Sequence, residues 1–209
     1  MYPKIKFDLN IPLDFGIGSK WPYAVTQYPE ILKGSLDKFV NYYYQEHDVD
    51  LKQSLKIIEH NWNKVRSHFF KVSDKVFNNY SWPDGKYICF LSIFNCNPRF
   101  LDDKTFQIFY RTDVNTNVII AHEMLHFIFY DYFEKRENDL YNKLGTDGIW
   151  RLSESFDILA LENPIYKILN PKVSSHYPEL NNLTDLLRNK MTGQDFTVSN
   201  FIKSVYTPG

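Results

Sequence analysis

The chain has 209 residues, a formal net charge of −1 and a pI near 6.6, with 44% hydrophobic and 23% charged residues. That balance is the one of an ordinary globular protein. It offers no basic excess for a nucleic acid or a membrane surface, and no apolar run approaches the roughly 18 residues of a membrane span.

The start, Met1 to Asp8, lacks the continuous apolar core of a secretory leader, so a cytoplasmic setting is expected. Residues 4–11 alternate, with Ile5, Phe7, Leu9 and Ile11 against Lys4, Lys6, Asp8 and Asn10, which predicts a strand. Pro12 closes it, and Gly16, Gly18 and Pro22 make the following stretch read as a loop. Pro29 opens a predicted helix that runs to about Glu46. A second predicted helix runs from near Asp50 toward Tyr80, with Leu51, Leu55, Ile58, Trp62, Val65 and Phe69 at spacings of three and four and a possible break near Ser67–Ser73.

Pro83-Asp84-Gly85 signals a turn, after which Tyr87–Phe94 reads as a buried strand. Cys89 and Cys96 match no zinc-ribbon spacing, and their odd separation places them on opposite faces of a strand, so no bridge is expected between them. Asn97-Pro98 begins a loop, and Thr105–Tyr110 alternates as a further strand. Asp113 is the candidate N-cap for the long apolar helix predicted over Val114–Glu137, which ends around Asn138 or continues to Leu144 with Gly145 as its stop. Gly145–Gly148 reads as a tight turn and Ile149–Leu161 as a helix closed by Asn163-Pro164. Helices over Pro178–Lys190 and about Phe196–Tyr206 complete the chain.

The chemistry is concentrated in His122-Glu123-Met124-Leu125-His126. On a helix, i and i+4 share a face, and a rise of 1.5 Å per residue separates the two imidazoles by about 6 Å. They can therefore converge on one tetrahedral metal ion. Glu123 is rotated about 100° from His122, so it flanks that ion as a general base instead of ligating it. The flanks, Val118–Ala121 and Phe127–Tyr130, are apolar, so the polar set is buried and needs partners that a metal supplies. A catalytic zinc takes three protein ligands and an open position. The strongest third candidate is Glu154, because a turn at Gly145 folds its helix back on the first. Asp147, after Gly145-Thr146, is a weaker rival.

H-E-x-x-H followed by a helix carrying Leu152-Ser153-Glu154-Ser155-Phe156 resembles the gluzincin metallopeptidases, which include thermolysin-like and aminopeptidase-N-like enzymes. The resemblance covers roughly His122–Glu162 and matches no specific family in the N-terminal part. It implies an α+β, zincin-like fold, with a small sheet packed on the active-site helix and helical N- and C-terminal parts. It is read as one domain over residues 1–209, with residues 1–85 mainly helical and residues 86–209 the zincin core. It implies zinc held by His122, His126 and Glu154, with Glu123 as the base that activates a water for peptide hydrolysis. Asp157 matches the carboxylate that orients a ligand histidine, although its offset from Glu154 is three residues where thermolysin-like members use four. An oxyanion donor is sought among Tyr166, His176 and Tyr177, and Thr105–Tyr110 is expected to be an edge strand that pairs with substrate.

A peptide or protein substrate is therefore expected, with no nucleic-acid or membrane partner and a monomeric chain. The alternatives are a catalytically silent zincin-fold interaction module and a metal-dependent amidase or deformylase with Cys96 as a ligand. Glu123 speaks against the first, since a purely structural site has no use for a base.

Overall fold

A computed structural model describes residues 2–111, 115–169 and 177–206. The fold is α+β. The chain divides into two compact units. One holds residues 3–64 and 85–120, and the other holds residues 65–84 and 121–209 together with Tyr2.

The first unit contains every strand of the described residues. β1 (Ile5–Leu9) and β2 (Tyr87–Ser92) pair in parallel from Ile5↔Tyr87 to Leu9↔Leu91, and β2 pairs in parallel with β4 (Thr105–Phe109). A two-residue strand that the sequence reading did not foresee, β3 (Arg99–Phe100), pairs antiparallel with β4, giving the order β1-β2-β4-β3. The expectation of a free edge strand at Thr105–Tyr110 is therefore corrected. The outer side of β4 is occupied by β3, and beyond it the backbone N–H of Gln107 donates to the Pro98 carbonyl at 2.9 Å and that of Phe109 to Asn97 Oδ1 at 3.3 Å. Lys104, at φ 54°, turns the chain sharply enough to fold residues 97–100 back onto the strand that follows.

Residues 11–18, read as a loop, are helical: α1 (Ile11–Gly18). Asn10 caps it by accepting from Leu13 N at 3.0 Å, and Pro12 sits in the first turn, where its missing N–H costs nothing. The burial of α1 inverts its chemistry. Ile11 and Phe15 are exposed, while Asp14 is fully buried. Asp14 accepts from Tyr44 Oη (2.9 Å), Ser92 Oγ (2.6 Å), Ile93 N (2.9 Å) and Gln107 Nε2 (2.8 Å). One carboxylate thus ties α1, β2 and β4 to the segment that carries Tyr44. After the short α2 (Ala24–Gln27), the helix expected from Pro29 is broken at Gly34 into a 3-10 turn (Pro29–Lys33) and α3 (Leu36–Glu46).

α4 (Asp48–Val76) is one continuous helix of 29 residues, without a break at Ser67–Ser73, and its C-terminal half belongs to the second unit. It is followed by Asn78 and Asn79 at φ 54° and 59°, a conformation that asparagine tolerates better than most residues. The second unit continues with α5 (Thr116–Arg136, from Ala121 onward) and α6 (Asn138–Glu162). Asp113 lies outside the described residues. α6 consists of two helical stretches that meet at a kink at Gly145, non-helical at φ 65°, ψ −176°, so the stop expected at Gly145 falls at the kink and the turn expected over Gly145–Gly148 narrows to it. A 3-10 turn (Pro164–Leu169), α7 (Asn181–Lys190) and α8 (Val198–Tyr206) complete it. Phe156 of α6 lies 5.1 Å from Phe129 of α5, 5.3 Å from Phe77 and, edge-on, 5.0 Å from Phe201 of α8. Phe129 stacks on Phe133 at 4.2 Å. This aromatic cluster fixes the register of α5 against α6. No helix among the described residues is long and apolar enough to cross a membrane.

Candidate metal centre

α5 is buried almost all round: from Glu123 through Phe129 every residue is buried, the interior His126 and Glu123 included. The run is bounded by His122 and Tyr130, both half-buried, and His122, His126 and Tyr130 share one helix face at successive spacings of four.

α6 brings an unusual set to meet it. Ser153, Glu154, Ser155 and Asp157 are all buried, on a stretch where a solvated helix would expose at least one. Glu154 Oε2 lies 3.3 Å from His122 Nε2, and Glu154 Oε1 lies 3.5 Å from His126 Nε2. The two Nε2 atoms are 3.0 Å apart. Among the described residues, His122, His126 and Glu154 form the one group whose ligand atoms all lie within 4.8 Å of one another. Two imidazole nitrogens and one carboxylate, buried and convergent, suit a borderline divalent cation such as zinc.

The electrostatics point the same way. Burial works against a charge on His122, yet its hydrogen bond to Glu154 and the negative charges of Glu123, Asp157 and Glu154 outweigh that and hold its pKa up to about 9. Three carboxylates around two imidazoles leave a buried excess of negative charge, which a dication would offset.

Asp157 was expected behind a ligand ring. Its Oδ2 lies 3.8 Å from His122 Nδ1, the nitrogen turned away from Glu154, but also 3.1 Å from His126 Nε2. It therefore reaches both the back of one ligand and the ligating side of the other. The rival Asp147 is exposed and paired with Arg151 Nε at 2.8 Å, and neither it nor Cys96 belongs to the convergent group.

Of the sought oxyanion donors, Tyr166 is fully buried with its hydroxyl 3.0 Å from Ser73 Oγ, and Tyr177 packs edge-on against Trp150 at 5.2 Å. His176 lies outside the described residues. Tyr130, to which the sequence reading gave no role, has its ring 6.3 Å from that of His126 and its hydroxyl 3.3 Å from Ser153 Oγ. The signal for it was its place one helical turn beyond His126. No known protein family, no curated protein and no solved structure matches the chain.

Proposed function

We propose that the chain is a zinc-dependent hydrolase of peptide bonds, zincin-like in its active-site core. The observation that carries this reading is the convergence of His122, His126 and Glu154 to within 4.8 Å, with Glu123 buried beside them. These three side chains would hold the metal, which supplies a Lewis acid and an acidified water.

The chain's own residues then account for the protons. Glu123 accepts one proton from the attacking water as its oxygen bonds to the carbonyl carbon and the C=O π pair moves onto the carbonyl oxygen. On collapse the C=O bond re-forms and the C–N bond breaks. Glu123 passes its proton to the leaving nitrogen, and the second water proton leaves with the product carboxyl group. Asp157 Oδ2, 3.8 Å from His122 Nδ1, is near enough to favour a charge on that ring but too far to hydrogen-bond it.

One observation favours a second reading. Asp157 Oδ2 stands 3.1 Å from His126 Nε2. If it completed four protein ligands, the site would be closed and structural, as in an interaction module. The test is metal analysis of the purified protein followed by digestion of a peptide library. One equivalent of zinc with cleavage supports the hydrolase, zinc without cleavage supports the module, and no zinc excludes both.

A further inference from the structure

We propose that two copies of this chain join edge to edge, β1 pairing antiparallel with β1 of the second copy about a two-fold axis at Phe7. β1 is an outer strand of the sheet. Its neighbours show which of its backbone groups are free. Ile88 N donates to the Lys104 carbonyl at 3.2 Å and Tyr110 N to the Ser92 carbonyl at 3.0 Å, so Ile88, Phe90 and Ser92 address β4, and Tyr87, Cys89 and Leu91 address β1. In a parallel ladder a residue bonds the two neighbours of its opposite number. Cys89, opposite Phe7, thus bonds Lys6 and Asp8. The N–H and C=O groups of Ile5, Phe7 and Leu9 are left pointing away from β2. Among the described residues, the hydrogen bond on that side comes from within the strand, Leu9 N to Asp8 Oδ1 at 2.9 Å.

That edge is self-complementary. Ile5-Lys6-Phe7-Asp8-Leu9 carries opposite charges on either side of Phe7. Antiparallel pairing centred on Phe7 sets Phe7 opposite Phe7, Ile5 opposite Leu9, and Lys6 opposite Asp8, each twice where symmetry requires it. Phe7–Phe7 and Ile5–Leu9 then coincide with the free backbone groups, as hydrogen-bonded pairs. Lys6–Asp8 falls on the closer, non-hydrogen-bonded positions, where cross-strand side chains meet best. Moving the centre to Lys6 or to Asp8 would set like charges opposite each other. The Lys6 and Asp8 side chains are 68% and 42% exposed and pair with each other along the strand at 2.5 Å, whereas Ile5 and Phe7 are buried. Association exchanges that one pair per chain for Lys6–Asp8 pairs across the axis. A lysine on an outer strand ordinarily discourages such pairing; in this register Asp8 of the second copy neutralises it. A ribbon of five residues is smaller than a standard interface, so the dimer is a weak one.

The test is sedimentation velocity of the full chain from about 1 to 500 µM, with circular dichroism to check each variant's fold. Wild type should pass from monomer to dimer across that range. Lys6→Asp and Asp8→Lys each set like charges opposite each other twice and should weaken association by about tenfold or more. The double variant Lys6→Asp/Asp8→Lys restores opposite charges and should return to within about threefold of wild type. An equimolar mixture of the two single variants should form a heterodimer. Amide exchange at Ile5 and Phe7 should slow with concentration in wild type and not in the single variants. A wild type that stays monomeric throughout would overturn the proposal. So would a dimer that the single reversals leave unchanged, or one that neither the double variant nor the mixture recovers. An amide of Phe7 already protected at the lowest concentration would overturn it too, since the edge would then be covered within one chain.

Discussion

Glu123 and Glu154 are both buried carboxylates next to His122, but their proposed roles differ. Glu154 directs its two oxygens at the two Nε2 atoms, so Glu154→Ala is expected to lower zinc affinity at least tenfold in a chelator competition. Glu123→Gln keeps all three ligands, so zinc should stay while hydrolysis falls by about 10²–10⁴-fold; loss of zinc from this variant would make Glu123 a ligand or a fold element. The pair His122 and His126 was legible in the sequence because a spacing of four on a helix is local geometry, whereas Glu154, on another helix, was reached only through the turn at Gly145. Asp14 was not legible, because its four donors stand 30 to 93 residues away. Asp14→Ala should cost about 3 kcal/mol in urea unfolding, since buried donors lose their acceptor. Burial pushes the Asp14 carboxyl up against the pull of its donors. With its folded pKa above the unfolded one, the native state binds the extra proton in the window between them, and stability is lost as pH rises through the folded pKa. The stability of wild type relative to Asp14→Asn should therefore fall from the acidic to the alkaline side of that window.

At the scale of elements, the convergence of His122, His126 and Glu154 depends on how α6 meets α5. Phe156 stands two residues after Glu154 and contacts Phe77, Phe129 and Phe201. Phe156→Ala should cost about 3–5 kcal/mol and loosen zinc binding with it, measured by thermal unfolding and chelator competition on one preparation. Gly145 permits the kink that starts the ligand-bearing half of α6. At φ 65°, ψ −176° it occupies a region that is nearly glycine's alone, so Gly145→Ala should cost about 1–3 kcal/mol although no atom crowds the new methyl group. The long helices were readable from their periodicity. α1 was not, because its exposed residues are apolar and its buried one is an acid, the reverse of the pattern on which such a reading depends. β3 was hidden by its length of two residues, and with it the fact that β4 has neighbours on both sides.

For the whole molecule, the α+β class followed from the mix of alternating and helical periods, whereas the division into two units did not. Residues 65–84 group with the chain from Ala121 onward although residues 85–120, between them, belong to the first unit, and local pattern carries no trace of such interleaving. A ligand that binds only the native state stabilises it by about 2.7 kcal/mol at a hundred times its Kd. For a chain of this size that shifts the midpoint by about 5–10 °C. Zinc should raise the unfolding temperature by that amount in wild type and by much less in Glu154→Ala, read by calorimetry with and without chelator.

The parallel pairing of β1 with β2 also sets a timetable for synthesis. The partner of Ile5 is Tyr87, so β1 leaves the ribosome with its hydrogen-bonding edge open until about eighty further residues have been added. At ordinary elongation rates that is about 4–16 s. Throughout that interval a five-residue strand with alternating apolar side chains is available to any other extended segment. The nascent chain is accordingly expected to be most vulnerable to aggregation before Leu91 emerges, and slowing translation downstream of residue 91 should leave the yield of native protein unaffected, whereas slowing it upstream should reduce it.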